Sequence, residues 1–169
     1  MKPPRPAPKS APVEKKEPSA SPLASATSLV RHHLSIGWWT VLIFLTLGLV
    51  LETLHGFKIA EYVKVSNEIR RLMWTLAHAH GTLLGLVNLA FAWTAQTFPA
   101  WPESRRHLAS NALLGATLLM PAGFFLGGLF FYAGDPGLGI LLVPVGGLLL
   151  FIAVLLTALA VRQTGGKTD

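Results

Sequence analysis

The 169-residue chain contains no cysteine, which excludes disulfides, thiolate metal sites, iron–sulfur clusters and cysteine nucleophiles. Charge is scarce: Asp, Glu, Lys and Arg make up 13% of residues, about half the share of a soluble domain, while 51% are hydrophobic. Acidic residues number only 8 against 14 basic ones, and none are paired at a spacing that suits acid–base work. There is no Ser-His-Asp grouping and no phosphate loop. On its own, the chain is not expected to be an enzyme.

What charge there is lies in clusters. Residues 32–51, 72–102, 107–134 and 136–161 carry none. Each stretch supplies the roughly 20 apolar residues that a helix rising about 1.5 Å per residue needs to cross about 30 Å of hydrocarbon. The pattern predicts an all-α polytopic membrane protein, a four-transmembrane-helix bundle over residues 31–162 with spans at about 34–54, 72–94, 108–132 and 138–161. Trp38, Trp39, Trp74, Trp93, Trp101 and the Phe130-Phe131-Tyr132 run fall near the ends of these spans, where membrane interfaces favour aromatic rings. Residues 1–30, rich in Pro, Ala and Lys, read as a disordered tail, and 163–169 as a short C-terminal tail. The first apolar run starts too late for a signal peptide and reads as an uncleaved anchor.

The net charge of +6 would suggest nucleic acid in a soluble protein, but here it reports membrane orientation. Ten of the 14 cations fall in the N-terminal tail, the second loop and the C-terminus, and four in the first loop. The positive-inside rule then predicts both termini in the cytoplasm, with the chain in a bacterial cytoplasmic (inner) membrane. The expected partners are the lipid bilayer and other membrane subunits or further copies of the chain, with no nucleic acid.

Small residues mark the expected helix contacts, because lipid supplies no apolar drive between helices. Gly139, Gly146, Ala153 and Ala160 repeat every seven residues in span 4, and Ala112, Ala116, Gly123 and Gly127 share a face of span 3. Gly134-Asp135-Pro136-Gly137 is turn chemistry that makes spans 3 and 4 antiparallel neighbours. Pro121 and Pro144 are expected to kink their helices in mid-span. In the first loop, Ile59, Tyr62, Val63, Ile69 and Leu72 alternate with charges at helical steps, predicting a helix on the membrane surface or an outward extension of span 2.

Ionisable groups inside spans are costly and therefore informative. Glu52 and His55 near the end of span 1, with His78 and His80 near the start of span 2, fall in one layer near the extracytoplasmic surface. At 100° per residue, Gly37, Val41, Gly48, Glu52 and His55 form one stripe, and His78, Gly81, Thr82, Gly85, Asn88 and Ala92 another. His80 lies on a different face from His78. Neutral imidazoles with a carboxylate can ligate a transition metal ion. Two imidazoles can instead hold haem b, with Gly48, Gly81 and Gly85 leaving room for the macrocycle. A proton relay or quinone site, or a purely structural cluster, uses the same groups. Asn88 reads as an interhelical hydrogen bond; His32, His33 and His107, beside arginines, read as surface residues.

The stretch Leu76-Ala-His-Ala-His-Gly-Thr-Leu-Leu-Gly-Leu-Val-Asn-Leu resembles a His-x-His plus Leu-Gly helix of bacterial membrane proteins distantly similar to haem-copper oxidase subunit I. The resemblance covers this short segment only, and the chain has far fewer spans and histidines than a complete oxidase subunit. It implies that His78 and His80 contact haem or a metal, in a small respiratory-type membrane subunit. Two functions follow as expectations: haem or transition-metal binding in electron transfer or cofactor handling, through His78 with His55, His80 or Glu52, and a non-catalytic subunit or assembly factor whose polar cluster is structural. A transporter is less favoured, since the single four-span unit shows no internal repeat.

Overall fold

A computed structural model describes residues 1, 22–98, 101–132 and 134–164. Most of the expected disordered tail, and residues 165–169, lie outside the described residues. The elements in order are α1 (Pro22–Gly56), α2 (Ala60–Val63), a 3-10 turn (Val65–Asn67), α3 (Glu68–Thr97), α4 (Glu103–Leu129), a second 3-10 turn (Leu138–Leu141) and α5 (Leu142–Thr164). α1 begins inside the stretch read above as tail, with proline at its first position, where no intrahelical donor is needed.

Among the described residues, three helical segments are long and apolar enough to cross a membrane: Thr27–Gly56, Glu103–Leu129 and Leu138–Arg162. α3 is as long, at 30 residues, but more polar. It lies between α1 and α4, and α5 packs on α4 and also touches α3. Among the described residues α1 makes no close approach to α5, so the bundle is an open array rather than a closed square.

Small residues set these contacts. Added Cβ atoms at Gly37 and Gly85 would each lie 3.0 Å from the other residue's carbonyl oxygen, so the α1 and α3 backbones approach directly. Between α4 and α5, a Cβ at Gly123 would meet Val143 and the Gly139 carbonyl, and one at Gly146 would meet the Met120 backbone nitrogen at 2.9 Å. Ala112, Ala116, Ala153 and Ala160 are buried, so both expected stripes face the core. Tyr132 and Asp135 exchange backbone hydrogen bonds at 3.0 and 2.7 Å, with Gly134 at φ +96, and this turn reverses the chain.

Two expectations change. Pro144 is not in mid-span: α5 begins at Leu142, so the proline sits in the first turn, where a missing N–H breaks nothing. Pro121 is inside α4, which continues through it, and is buried. The first loop holds a short helix, α2, and an α3 that starts before the expected span, so span 2 is extended as one of the two expected forms had it.

Gly85→Ala should cost about 1–3 kcal/mol, since its methyl meets backbone that cannot retreat. Gly147→Ala, where a Cβ meets nothing within 4 Å, should be neutral. Unfolding of the two detergent-purified variants by increasing SDS measures the difference.

Candidate functional site

At the end of the bundle capped by α2, a cavity of about 710 Å³ opens between α1 and α3. Leu45, Gly48, Leu49, Leu51, Glu52 and His55 of α1 line it, with Thr75 and His78 of α3 and Tyr62 of α2. Three of the four expected site residues therefore converge. His80 does not: its Nδ1 donates to the Leu76 carbonyl at 2.9 Å, and its ring packs on Phe124 of α4 at 4.7 Å. Adjacent histidines on a regular helix face different neighbours, so the His-Ala-His segment is split between a cavity and a packing contact.

His78 owes its setting to one missing side chain. Its Nδ1 lies 2.6 Å from the Phe44 carbonyl oxygen. A carbonyl only accepts, so Nδ1 is the donor, and in the neutral imidazole Nε2 is the nitrogen with the lone pair. In a helix the side chain four residues on ordinarily crowds such a carbonyl, but here that residue is Gly48, and a Cβ there would overlap the imidazole. Gly81 is filled likewise by the Phe44 ring, and Gly85 is closed by Val41. These glycines seat side chains and backbone of the partner helix. They do not leave room for a macrocycle, as the sequence suggested; the open volume lies beside them, in the cavity.

The loop side of the cavity is covered by Tyr62, 6% exposed. Arg71 Nη1 donates to the Tyr62 carbonyl at 3.2 Å and the Lys64 carbonyl at 2.9 Å, and Asn67 Nδ2 donates to the Glu61 carbonyl. Burial pushes the Tyr62 phenol up from its ordinary value, opposed by the Arg71 guanidinium and a hydrogen bond with Thr75. Glu52 and His55 are exposed at the rim. Among the described residues, no group of three His, Asp or Glu side chains is placed to hold a metal ion.

A second polar cluster lies at the opposite end. His33 is fully buried, not a surface residue as its neighbours Arg31 and His32 suggested. Asn88 Nδ2 donates to the Leu84 carbonyl and to Thr117 Oγ1, both at 2.8 Å, which turns Oδ1 toward His33 Nδ1 at 2.7 Å. The proton is then on Nδ1, and Nε2 accepts from the Ser110 hydroxyl at 2.7 Å. One directed chain of hydrogen bonds thus joins α1, α3 and α4, and Asn88 is the interhelical bond expected. Helical phase could have found His33, because it precedes Gly37 by four residues in the same stripe. Tyr62 was visible as part of the apolar face of the first loop, but its place in the cavity wall was not. His32 and His107 are exposed, as expected, and His107 lies 3.5 Å from Glu103.

Asn88→Leu strips partners from both His33 and Thr117 and should cost about 1–2 kcal/mol, against less than about 1 for Ser110→Ala. SDS unfolding of both single variants and the double variant should show costs that do not add.

Comparison with family models, curated proteins and solved structures gives no match for this chain, so the reading of the cavity rests on its own geometry.

Proposed function

We propose that the chain is a four-helix integral protein of a bacterial cytoplasmic membrane that binds haem b through His78, in electron transfer or cofactor handling. Four crossings are supported by connectivity. The Ser110–His33 bond sets the start of α4 beside that of α1, so α3, which joins the end of α1 to the start of α4, must return across the same thickness. With the termini cytoplasmic, as the cations favour, the α2 end faces outward.

The observation that carries the haem reading is the His78–Phe44 hydrogen bond. Ligating histidines characteristically give their other ring N–H to a carbonyl or carboxylate, which fixes the tautomer and strengthens the donor nitrogen. Here the remaining lone pair is in the wall of a cavity whose volume lies in the range of about 300–1,000 Å³ typical of cofactor and ligand sites. Haem brings four nitrogens of its own and needs only one or two from protein, which suits a chain in which no three-ligand ion site is found among the described residues. Bound there, haem would supply one-electron chemistry. His78 would hold it, and Leu45, Leu49 and Leu51 would shield it from water. His55 and Glu52 stand at the polar rim as further contacts.

A second reading, a structural subunit or assembly factor, draws support from His33 and His80, both of which are spent on helix packing.

An ultraviolet–visible spectrum of protein purified from haem-replete cells tests the proposal. A Soret band is expected in wild type and His80→Ala and should be lost in His78→Ala. Gly48→Ala, which drives the ring off the Phe44 carbonyl, should weaken haem affinity by about 10–100-fold. A folded wild type that is colourless even after haem addition would favour the structural reading.

A further inference from the structure

We infer that the cavity is a side port, taking an amphiphile dissolved in the leaflet on the α2 side and admitting it between Leu45 and Leu49 of α1. The inference rests on the cavity being a ligand site, and it constrains the ligand's class and its route. Leu45 and Leu49 line the cavity yet are 57% and 68% exposed. They belong to the apolar segment Thr27–Gly56, so this opening faces hydrocarbon. Leu51, in the same wall, is only 6% exposed. The loop side is covered by Tyr62, which Arg71 pins through two backbone carbonyls.

Polarity runs along the cavity. From Leu45 to His55 is about 15 Å of helix at about 1.5 Å per residue, and over that rise the α1 lining passes from Leu45, Thr46 and Leu49 to Glu52 and His55, with His78 of α3 at the level of Gly48. An amphiphile in the same leaflet has this gradient, with its head at the headgroup level and its body deeper. His78 has its Nδ1–H committed to Phe44, and Glu52, His55, Tyr62 and the Thr46 and Thr75 hydroxyls add polar groups of both kinds, acceptors and donors, to the lining. A hydrogen-bonding head group or a metal centre suits this lining. Haem is one such amphiphile, and a hydroquinone with an isoprenoid tail is another.

The absence of native cysteine allows a test that does not depend on the ligand. Leu51→Cys, and Thr75→Cys as a second probe of the same cavity, are reconstituted in phosphatidylcholine vesicles and labelled with either a bilayer-partitioning pyrene maleimide or a membrane-impermeant charged thiosulfonate. Rates are referred to Glu61→Cys on the outer surface. The apolar reagent should label the cavity thiols at least tenfold faster than the charged one, relative to that reference, and adding Leu49→Trp should abolish most of this advantage. Equal relative rates, or no effect of Leu49→Trp in variants that retain wild-type SDS unfolding, would overturn the port. Haem is then supplied from donor vesicles: Leu49→Trp should slow uptake severalfold when each variant's rate is normalised to its own final Soret amplitude, whereas a normalised rate unaffected by Leu49→Trp would count against the lateral route. If no variant takes up haem while the labelling pattern holds, the haem assignment fails and the port remains, and a vesicle-borne hydroquinone becomes the next probe.

Discussion

Backbone-to-backbone contact between α1 and α3 is the constraint on which the rest of this molecule depends. A bilayer gives helices no hydrophobic reason to associate, so what holds them is close approach and the hydrogen bonds that approach permits. Gly37 and Gly85 bring the two main chains together. Once they are that close, the Phe44 carbonyl comes within reach of His78, and the start of α1 can place His33 against Asn88. Packing and polar chemistry are thus one event: the glycines that allow van der Waals contact also expose the groups that the side chains bond.

The two polar clusters divide the work. At one end, His33, Asn88, Ser110 and Thr117 satisfy one another's hydrogen bonds. This network fixes the orientation of three helices by requiring one direction of donation throughout. At the other end, His78 donates through Nδ1, and among the described residues its Nε2 has no hydrogen-bond partner, in a wall beside open volume. The first arrangement is spent on holding helices together; the second borders open volume. α3 carries residues of both, which explains why it is less apolar than its neighbours and why it lies in the middle of the array, with its polar groups turned toward other helices.

Much of this was legible from residue spacing. The seven-residue repeat from Gly139 to Ala160, the facing stripe on α4, the turn at Asp135 and the convergence of Glu52, His55 and His78 all follow from helical phase and charge-free length. Failures came where a local cue outweighed phase. His33 stands beside Arg31 and His32 and looked like an interfacial residue, although its angular position is that of Gly37. Pro144 looked central because a 3-10 turn and a helix start cannot be told from a continuous helix by hydropathy. Gly48, Gly81 and Gly85 were recognised as space, but what fills that space depends on side chains of the other helix. Tyr62 needed the path of a short loop helix, which periodicity alone does not trace.

The orienting partner of His78 is main chain. A carboxylate or amide in that role can be deleted by a single substitution, whereas a carbonyl at position 44 persists whatever residue stands there. The side chain at 44 answers to a different demand, the notch at Gly81. Control of the imidazole's tautomer therefore rests with bulk at position 48, a residue that makes no bond to it, and a search for polar partners of His78 among side chains would overlook the position that governs its chemistry.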